Sequence, residues 1–263
     1  MIEHFQKFDG EGKSLLPLSF SHLNEFAFYR ERWALRRIFG YEFPTSASAI
    51  RGQVVESGIN MFLNGLPIEE AKEKMLSEYD ENCSRINDPK IEDERNNLVP
   101  LFELGTKKFQ DYAYRWRLID YQRKVEVEID DIPFIGYTDF YFEDNHTRED
   151  FFIDLKTSKN LPQKISISHG MQSAIYNRAT NAKQILWYLK TPTKTKDVEY
   201  IAMSLDDYVE PYNICKHIIK VMGNYLKTVD TPDDVRNSLV PNPDNWIWKE
   251  PTVLEARKEV WGY

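Results

Sequence analysis

The sequence predicts an α/β protein, a sheet covered by helices and preceded by a helical N-terminal lobe. Three observations predict it. Apolar residues recur at a helical period over the first 120 residues, the period changes to two from Tyr121 to Thr157, and a helix, two strands and a helix then follow. The 263 residues, 41 % hydrophobic, suffice for one sizeable core, or one core with an appended helical lobe. Three regions result: a helical lobe over 1–120, a sheet-containing core over 121–230, and an irregular tail rich in Trp and Pro over 231–263, packed on that core.

Taken in order, "SFSHLNEFAFYRERWALRRIFG" opens on serines suited to an N-cap and ends at Gly40. "SASAIRGQVVESGINMFLNG" repeats the scheme and closes at Gly65. From Leu98 a third helix reads Leu101, Phe102, Phe109, Tyr112 and Trp116 on one period, with Pro100 in its first turn. "YQRKVEVEID" alternates as a strand, "IPFIGYTDFYFE" is aromatic and β-branched, and "FFIDLKT" is a short apolar run. The turn-forming "EDNHTRED" joins the last two as a hairpin. "ISISHGMQSAIYNRAT" is a helix, "KQILWYLK" and "VEYIAMSL" are strands, and Leu205 to Leu226 is helical again.

Composition excludes some classes. No apolar run is long enough to span a bilayer, and "MIEHFQKFDGEGKS" has no apolar core of a secretory signal. Only Cys83 and Cys215 are present, which excludes a disulfide framework or a four-cysteine metal site. A soluble protein of the cytoplasm, or of the host-cell cytoplasm if viral, is expected. A net charge of −8 argues against nucleic acid, but the charge is uneven. Glu69 to Glu94 is strongly acidic, whereas "YRERWALRR" and Thr193 to Lys196 are basic.

The strands carry the chemistry. Asp154 and Lys156 lie two apart and so share a face, and Asp139 sits on the hairpin partner. Two carboxylates converging there repel each other unless a cation lies between them. Oxygen ligands select a hard ion, Mg²⁺ or Mn²⁺. A lysine alongside favours hydroxide and stabilises developing negative charge, which suits phosphodiester hydrolysis. By itself "DLK" is far more often an exposed polar pair; Gly136, three residues before Asp139, strengthens the site reading because it permits close backbone approach.

"GYTDFYF…FIDLKTSK" resembles the PD-(D/E)XK nuclease superfamily, in its RecB-type branch with the CRISPR-associated and phage exonucleases. "LSFSHLNEF" resembles that branch's opening helix, "RGQVVESGI" its Arg-Gly motif and "HGMQSAIYNRA" its Gln-x-x-x-Tyr helix, so the likeness runs from Leu18 to Leu205. It implies a restriction-endonuclease-like αβββαβ core with a mixed central sheet. It also implies Asp139, Asp154, Lys156, Gln172 and Tyr176 as catalytic residues. The metal ligands implied are Glu56, Asp139, Asp154 and the backbone carbonyl of Leu155. Arg51, Thr157, Ser158 and Lys159, flanking these motifs, join Arg30 and His169 as expected DNA contacts. Arg30 is chosen because Phe28, Tyr29 and Trp33 alternate with arginines, as in a channel for single strands; a solvated helix face is the bland alternative.

Two departures stand out. Glu56 replaces the histidine common in the branch, which shifts the site towards oxygen ligation. The four thiolates of the iron–sulfur cluster found in many relatives cannot be built from two cysteines, so no cluster is expected. The leading expectation is a Mg²⁺- or Mn²⁺-dependent DNA exonuclease of recombination, repair or degradation. Its partners would be DNA ends or single strands, and a recombination or replication protein. The alternatives are a binding or assembly module of the same fold and a site-specific endonuclease.

Overall fold

The alternating segment from Tyr121 onward becomes three consecutive strands, from one edge to the centre, of a five-stranded mixed sheet. The computed structural model describes residues 2–7, 14–193 and 197–263; the basic residues 194–196 lie outside them. Helices α1 (Ile2–Phe5), α2 (Phe20–Phe28), α3 (Arg30–Arg37), α4 (Ala47–Leu63), α5 (Ile68–Cys83), α6 (Ile91–Asn96) and α7 (Leu98–Tyr112) come first. Strands β1 (Trp116–Ile129), β2 (Ile132–Asp144) and β3 (Asp150–Ser158) follow, then α8 (Ile167–Thr180), β4 (Lys183–Lys190) and β5 (Glu199–Met203). Helices α9 (Val209–Lys227), α10 (Pro232–Ser238) and α11 (Pro251–Trp261), with a 3₁₀ turn at Trp246–Lys249, complete the chain.

The strands lie in sequence order. All neighbours are antiparallel except β3 and β4, which run parallel across the α8 crossover. Asp130 and Asp131 join β1 to β2 at φ of 50° and 66°, the left-handed pair that a two-residue hairpin turn requires. Ser166 caps α8 through the His169 N–H, and Asn181, left-handed at φ 57°, ends it. This is the expected restriction-endonuclease-like arrangement.

Both faces of the sheet are covered. Ile153, Leu155, Phe140, Phe142 and Trp187 pack with Val54, Ile59, Met75 and Phe102 of α4, α5 and α7. Phe152 and Tyr141 lie in the other core with Met171, Ile175, Ile219 and Met222 of α8 and α9. Phe26 and Trp33 of α2 and α3 join that second core. The helices expected as one N-terminal lobe are thus divided between the two faces. Cys83 and Cys215 are buried in different cores.

Three local expectations need correction. Trp116, expected on the helix that starts at Leu98, opens β1 instead, because that helix ends at Tyr112. The first long helix breaks at Tyr29 (φ −144°, ψ 55°) into α2 and α3. In a straight helix residues 25 and 36 would stand about 16 Å apart along the axis. The corner brings the Arg36 guanidinium within 2.6 Å of the buried Glu25 carboxylate, with Arg32 and Arg37 at 4.0 Å. The tail is largely helical rather than irregular: Pro232 and Pro251 occupy first turns, where no N–H is missed, behind caps at Thr231 and Glu250. Among the described residues, no helix is long and apolar enough to cross a membrane.

Candidate active site

The hairpin of β2 and β3 is zipped only from Glu143↔Asp150 to Phe140↔Ile153. One step beyond, where the next pair would be Asp139 and Asp154, the ladder stops. Asp139 instead accepts the Leu155 N–H at 2.8 Å through Oδ2, so a side chain takes the place of a strand bond. β3 stays attached to β4 through Ser158, with Lys156 opposite Tyr188. The parting of β2 from β3 is therefore where the acids and the lysine lie.

Asp154 is 1 % exposed, and its Oδ2 faces Lys156 Nζ at 2.7 Å, while its Oδ1 accepts no hydrogen bond. Burial and the carboxylates of Asp154 and Glu56 hold Asp139 well above the usual carboxylate range, against Lys156 and the Leu155 N–H. Burial alone would lower Lys156, but Asp154 and Asp139 outweigh it and keep the ammonium firmly protonated. One cation thus answers three carboxylates.

Glu56 comes from α4. Burial and, less strongly, Asp154 raise its carboxyl, while the Gln122 amide, the Tyr121 hydroxyl and Lys156 act the other way. Gln122 Nε2 lies 3.3 Å from Glu56 Oε1 and 3.2 Å from the Tyr121 hydroxyl. Gln122 has φ 50°, a left-handed conformation that in a non-glycine residue costs about 1–3 kcal/mol. Neither Tyr121 nor Gln122 was expected here, because alternation in "YQRKVEVEID" carries no sign of positive φ.

The α8 residues close the other side. Burial raises Tyr176, while the nearby Gln172 amide and Tyr137 backbone N–H act the other way. Its ring lies over Gly136: a Cβ there would stand 2.5 Å from Tyr176 Cε1, so the glycine of "GYTD" is required by this contact. His169 Nδ1 is 2.7 Å from the Tyr188 hydroxyl. Burial and then Lys156 lower His169, and burial with Asp154 pushes Tyr188 up to about 12. Tyr188, in register with Lys156, is a neighbour that sequence spacing did not single out.

The remaining expected contacts are scattered. Arg51 is 3 % exposed and pairs with Glu94, while its other nitrogens reach Thr157 Oγ1 at 3.1 Å and Thr157 O at 3.2 Å. It is built into the protein and holds the end of β3. Ser158 Oγ donates to Asn160 O at 2.6 Å, and Lys159 is exposed. Arg30 lies on α3 with its guanidinium 4.5 Å over the Phe26 ring. Trp33 is wholly buried, so of the rings interleaved with arginines only Phe28 is freely exposed.

Among the described residues, no three His, Cys, Asp or Glu side chains stand close enough to hold a metal ion together. The donor set nevertheless fits one. More carboxylate than ammonium, an oxygen of the buried Asp154 without a hydrogen bond, and oxygen-only donors are what a hard divalent cation satisfies.

Residues 17–236 match the family described as the PD-(D/E)XK nuclease superfamily. No curated protein matches the chain. Among solved structures, the crystal structure of SSO0001 is 13 % identical and covers 76 % of this chain and 83 % of that one. Its TM-score is 0.32, a likeness too loose to carry any inference.

Proposed function

This chain belongs to the PD-(D/E)XK nuclease superfamily, and from that premise we propose that it is a Mg²⁺- or Mn²⁺-dependent deoxyribonuclease, working as an exonuclease. Membership makes it a hydrolytic nuclease with a nucleic-acid substrate; DNA, the metal and attack from ends are the finer reading. The observation that carries the reading is the surplus of carboxylate over ammonium around Lys156 at the parting of β2 and β3. Glu56, Asp139 and Asp154, with the Leu155 carbonyl, are the ligands we assign. When bound, such an ion supplies Lewis acidity toward water and a phosphate oxygen.

The chain's own groups do the rest. Asp154 and Asp139 keep Lys156 protonated, so a compact ammonium stands ready to stabilise negative charge on the attacking oxygen and the phosphate. The Leu155 N–H fixes one oxygen of Asp139 and leaves the other free to orient a ligand. Gln172, one turn before Tyr176, holds that hydroxyl over Gly136 and lines the approach of the substrate strand. His169, Thr157, Ser158, Lys159 and Arg30 are proposed phosphate contacts, and a recombination or replication protein is a proposed partner.

Cleavage of end-labelled linear DNA set beside covalently closed circular DNA, with Mg²⁺, Mn²⁺ or chelator, tests the reading. Release of end nucleotides only from the linear form, and only with metal, is expected. Cutting of closed circles would replace exonuclease by endonuclease. Equal hydrolysis in chelator would remove the metal from the reading.

A further inference from the structure

Tyr121 and Gln122 are consecutive residues of β1, and in a regular strand consecutive side chains leave opposite faces of the sheet. Here both reach one carboxylate. Gln122 Nε2 lies 3.3 Å from Glu56 Oε1 and donates to the Tyr121 hydroxyl at 3.2 Å, and that hydroxyl stands beside the same carboxylate. The backbone explains how. Gln122 has φ 50°, inside the strand, two residues past the irregularity between Leu118 and Asp120. The hairpin does not need this conformation, since pairing keeps one register on either side, Tyr121↔Phe140 and Arg123↔Thr138. The left-handed residue falls in the gap between those pairs, opposite Asp139. What the strain achieves is to turn the amide to the side on which Tyr121 packs.

We propose that Gln122 and Tyr121 are positioning residues that aim the Glu56 carboxylate at Asp139 and Asp154. The proposal rests on the reading of Glu56 as the third carboxylate of the metal site. Glu56 is the one acid of the three that arrives from a helix, on a long side chain with several rotamers. Asp139 and Asp154 are set by strand geometry and need no such help. The Gln122 amide, braced on the Tyr121 hydroxyl, ties the helix acid to the sheet that carries the other two.

Gln122→Gly is the discriminating variant, since glycine accepts a left-handed backbone without strain and removes the amide. Tyr121→Phe removes only a hydroxyl. Without metal, Gln122→Gly is expected to melt at the same temperature as the parent or higher. Its Mn²⁺ affinity, measured by titration calorimetry, is expected to fall about 10–100-fold, the range typical when a group orienting a ligand is lost. Tyr121→Phe should fall in the same direction. Glu56→Ala combined with Gln122→Gly should bind Mn²⁺ no more weakly than Glu56→Ala alone, because the amide acts through that carboxylate. A lower melting temperature with unchanged Mn²⁺ affinity would make Gln122 a purely structural residue and overturn the proposal. A further tenfold loss in the double variant would overturn it too. Should Glu56→Ala itself bind Mn²⁺ normally, the reading of Glu56 as a ligand fails and the clamp goes with it. An impaired Glu56→Ala beside a normal Gln122→Gly overturns the clamp alone.

Discussion

Two charged groups on helix α4, Arg51 buried and Glu56 half-buried, are built on opposite rules. Arg51 and Glu94 are 3 % and 1 % exposed and form one balanced ion pair; Thr157 takes the other Arg51 nitrogens, and Asn97 donates to the same Glu94 oxygen that meets Arg51. About one and a half turns along the same helix, Glu56 faces Asp139, Asp154 and Lys156, three acids against one base. A balanced buried pair serves the fold, because removing either member strands the other in a dry interior. An imbalanced group opposes the fold, and on the proposed function a metal ion completes it. The difference separates structure from chemistry without reference to any relative.

The largest expected effect tests the imbalanced group. Asp154→Ala and Asp139→Asn should each abolish metal-dependent cleavage, a loss beyond the about 10²–10⁴-fold of one acid–base group. Stability should move the other way. The folded state holds Asp139 protonated above its unfolded range, so it binds more protons than the unfolded chain. Parent stability therefore declines as pH rises above the ordinary Asp range, and Asp139→Asn should lack that decline. Thermal melts without metal across about pH 4–8 check it; a variant that melts well below the parent at neutral pH would place Asp139 with the structural group.

Next in size is Lys156. Lys156→Ala should slow single-turnover cleavage about 10²–10⁴-fold, while DNA affinity in Ca²⁺ changes far less. Lys156→Arg should not restore the rate, since a planar guanidinium cannot stand in for a compact ammonium. If binding and cleavage fall together by one factor, Lys156 is a DNA clamp instead.

The balanced pair predicts the reverse pattern. Arg51→Met leaves Glu94 buried beside Asn97 alone and should cost about 3–5 kcal/mol of stability. Replacing Arg51 and Glu94 together by Met and Leu should recover much of that loss, which denaturant titration would read. Normal stability with lost cleavage would make Arg51 a substrate group.

The smallest expected effect lies far from both. Burial, then Arg37 and Arg36, lower His22 to about 3, and its Nδ1 accepts the Ser19 N–H at 3.3 Å. A lowered histidine stabilises the fold above the unfolded value of about 6.5 and loses that contribution as pH falls toward about 3. Between pH 7 and about 5.5 the loss should be about 1 kcal/mol. His22→Gln keeps the capping-box reach back to Ser19 and should flatten that part of the pH–stability curve. An unchanged slope would mean that His22 titrates normally.

Much of this was legible in the order of residues. Alternation and turn composition located all five strands and the β2–β3 hairpin, because a period of two with Asp- and Asn-rich turns leaves few other foldings. The same pattern located Asp139 and Asp154 on neighbouring strands. The break at Tyr29 was not legible, since the charge on Glu25 that rewards it is met by arginines up to twelve residues away. Nor was the burial of Arg51, which depends on Glu94 and Thr157, distant in sequence. Helical tail segments were missed because proline was read as a breaker rather than as a first-turn residue.

By itself, then, the sequence determined which residues alternate, which helices cap and which acids share a hairpin, since these follow from local sterics and periodicity. Only the tertiary structure decided that the hairpin parts at Asp139, that α4 brings Glu56 to the same place, and that Gln122 bends out of its strand to meet it. Those outcomes depend on desolvation and on contacts between elements far apart in the chain, and neither is written in any local window.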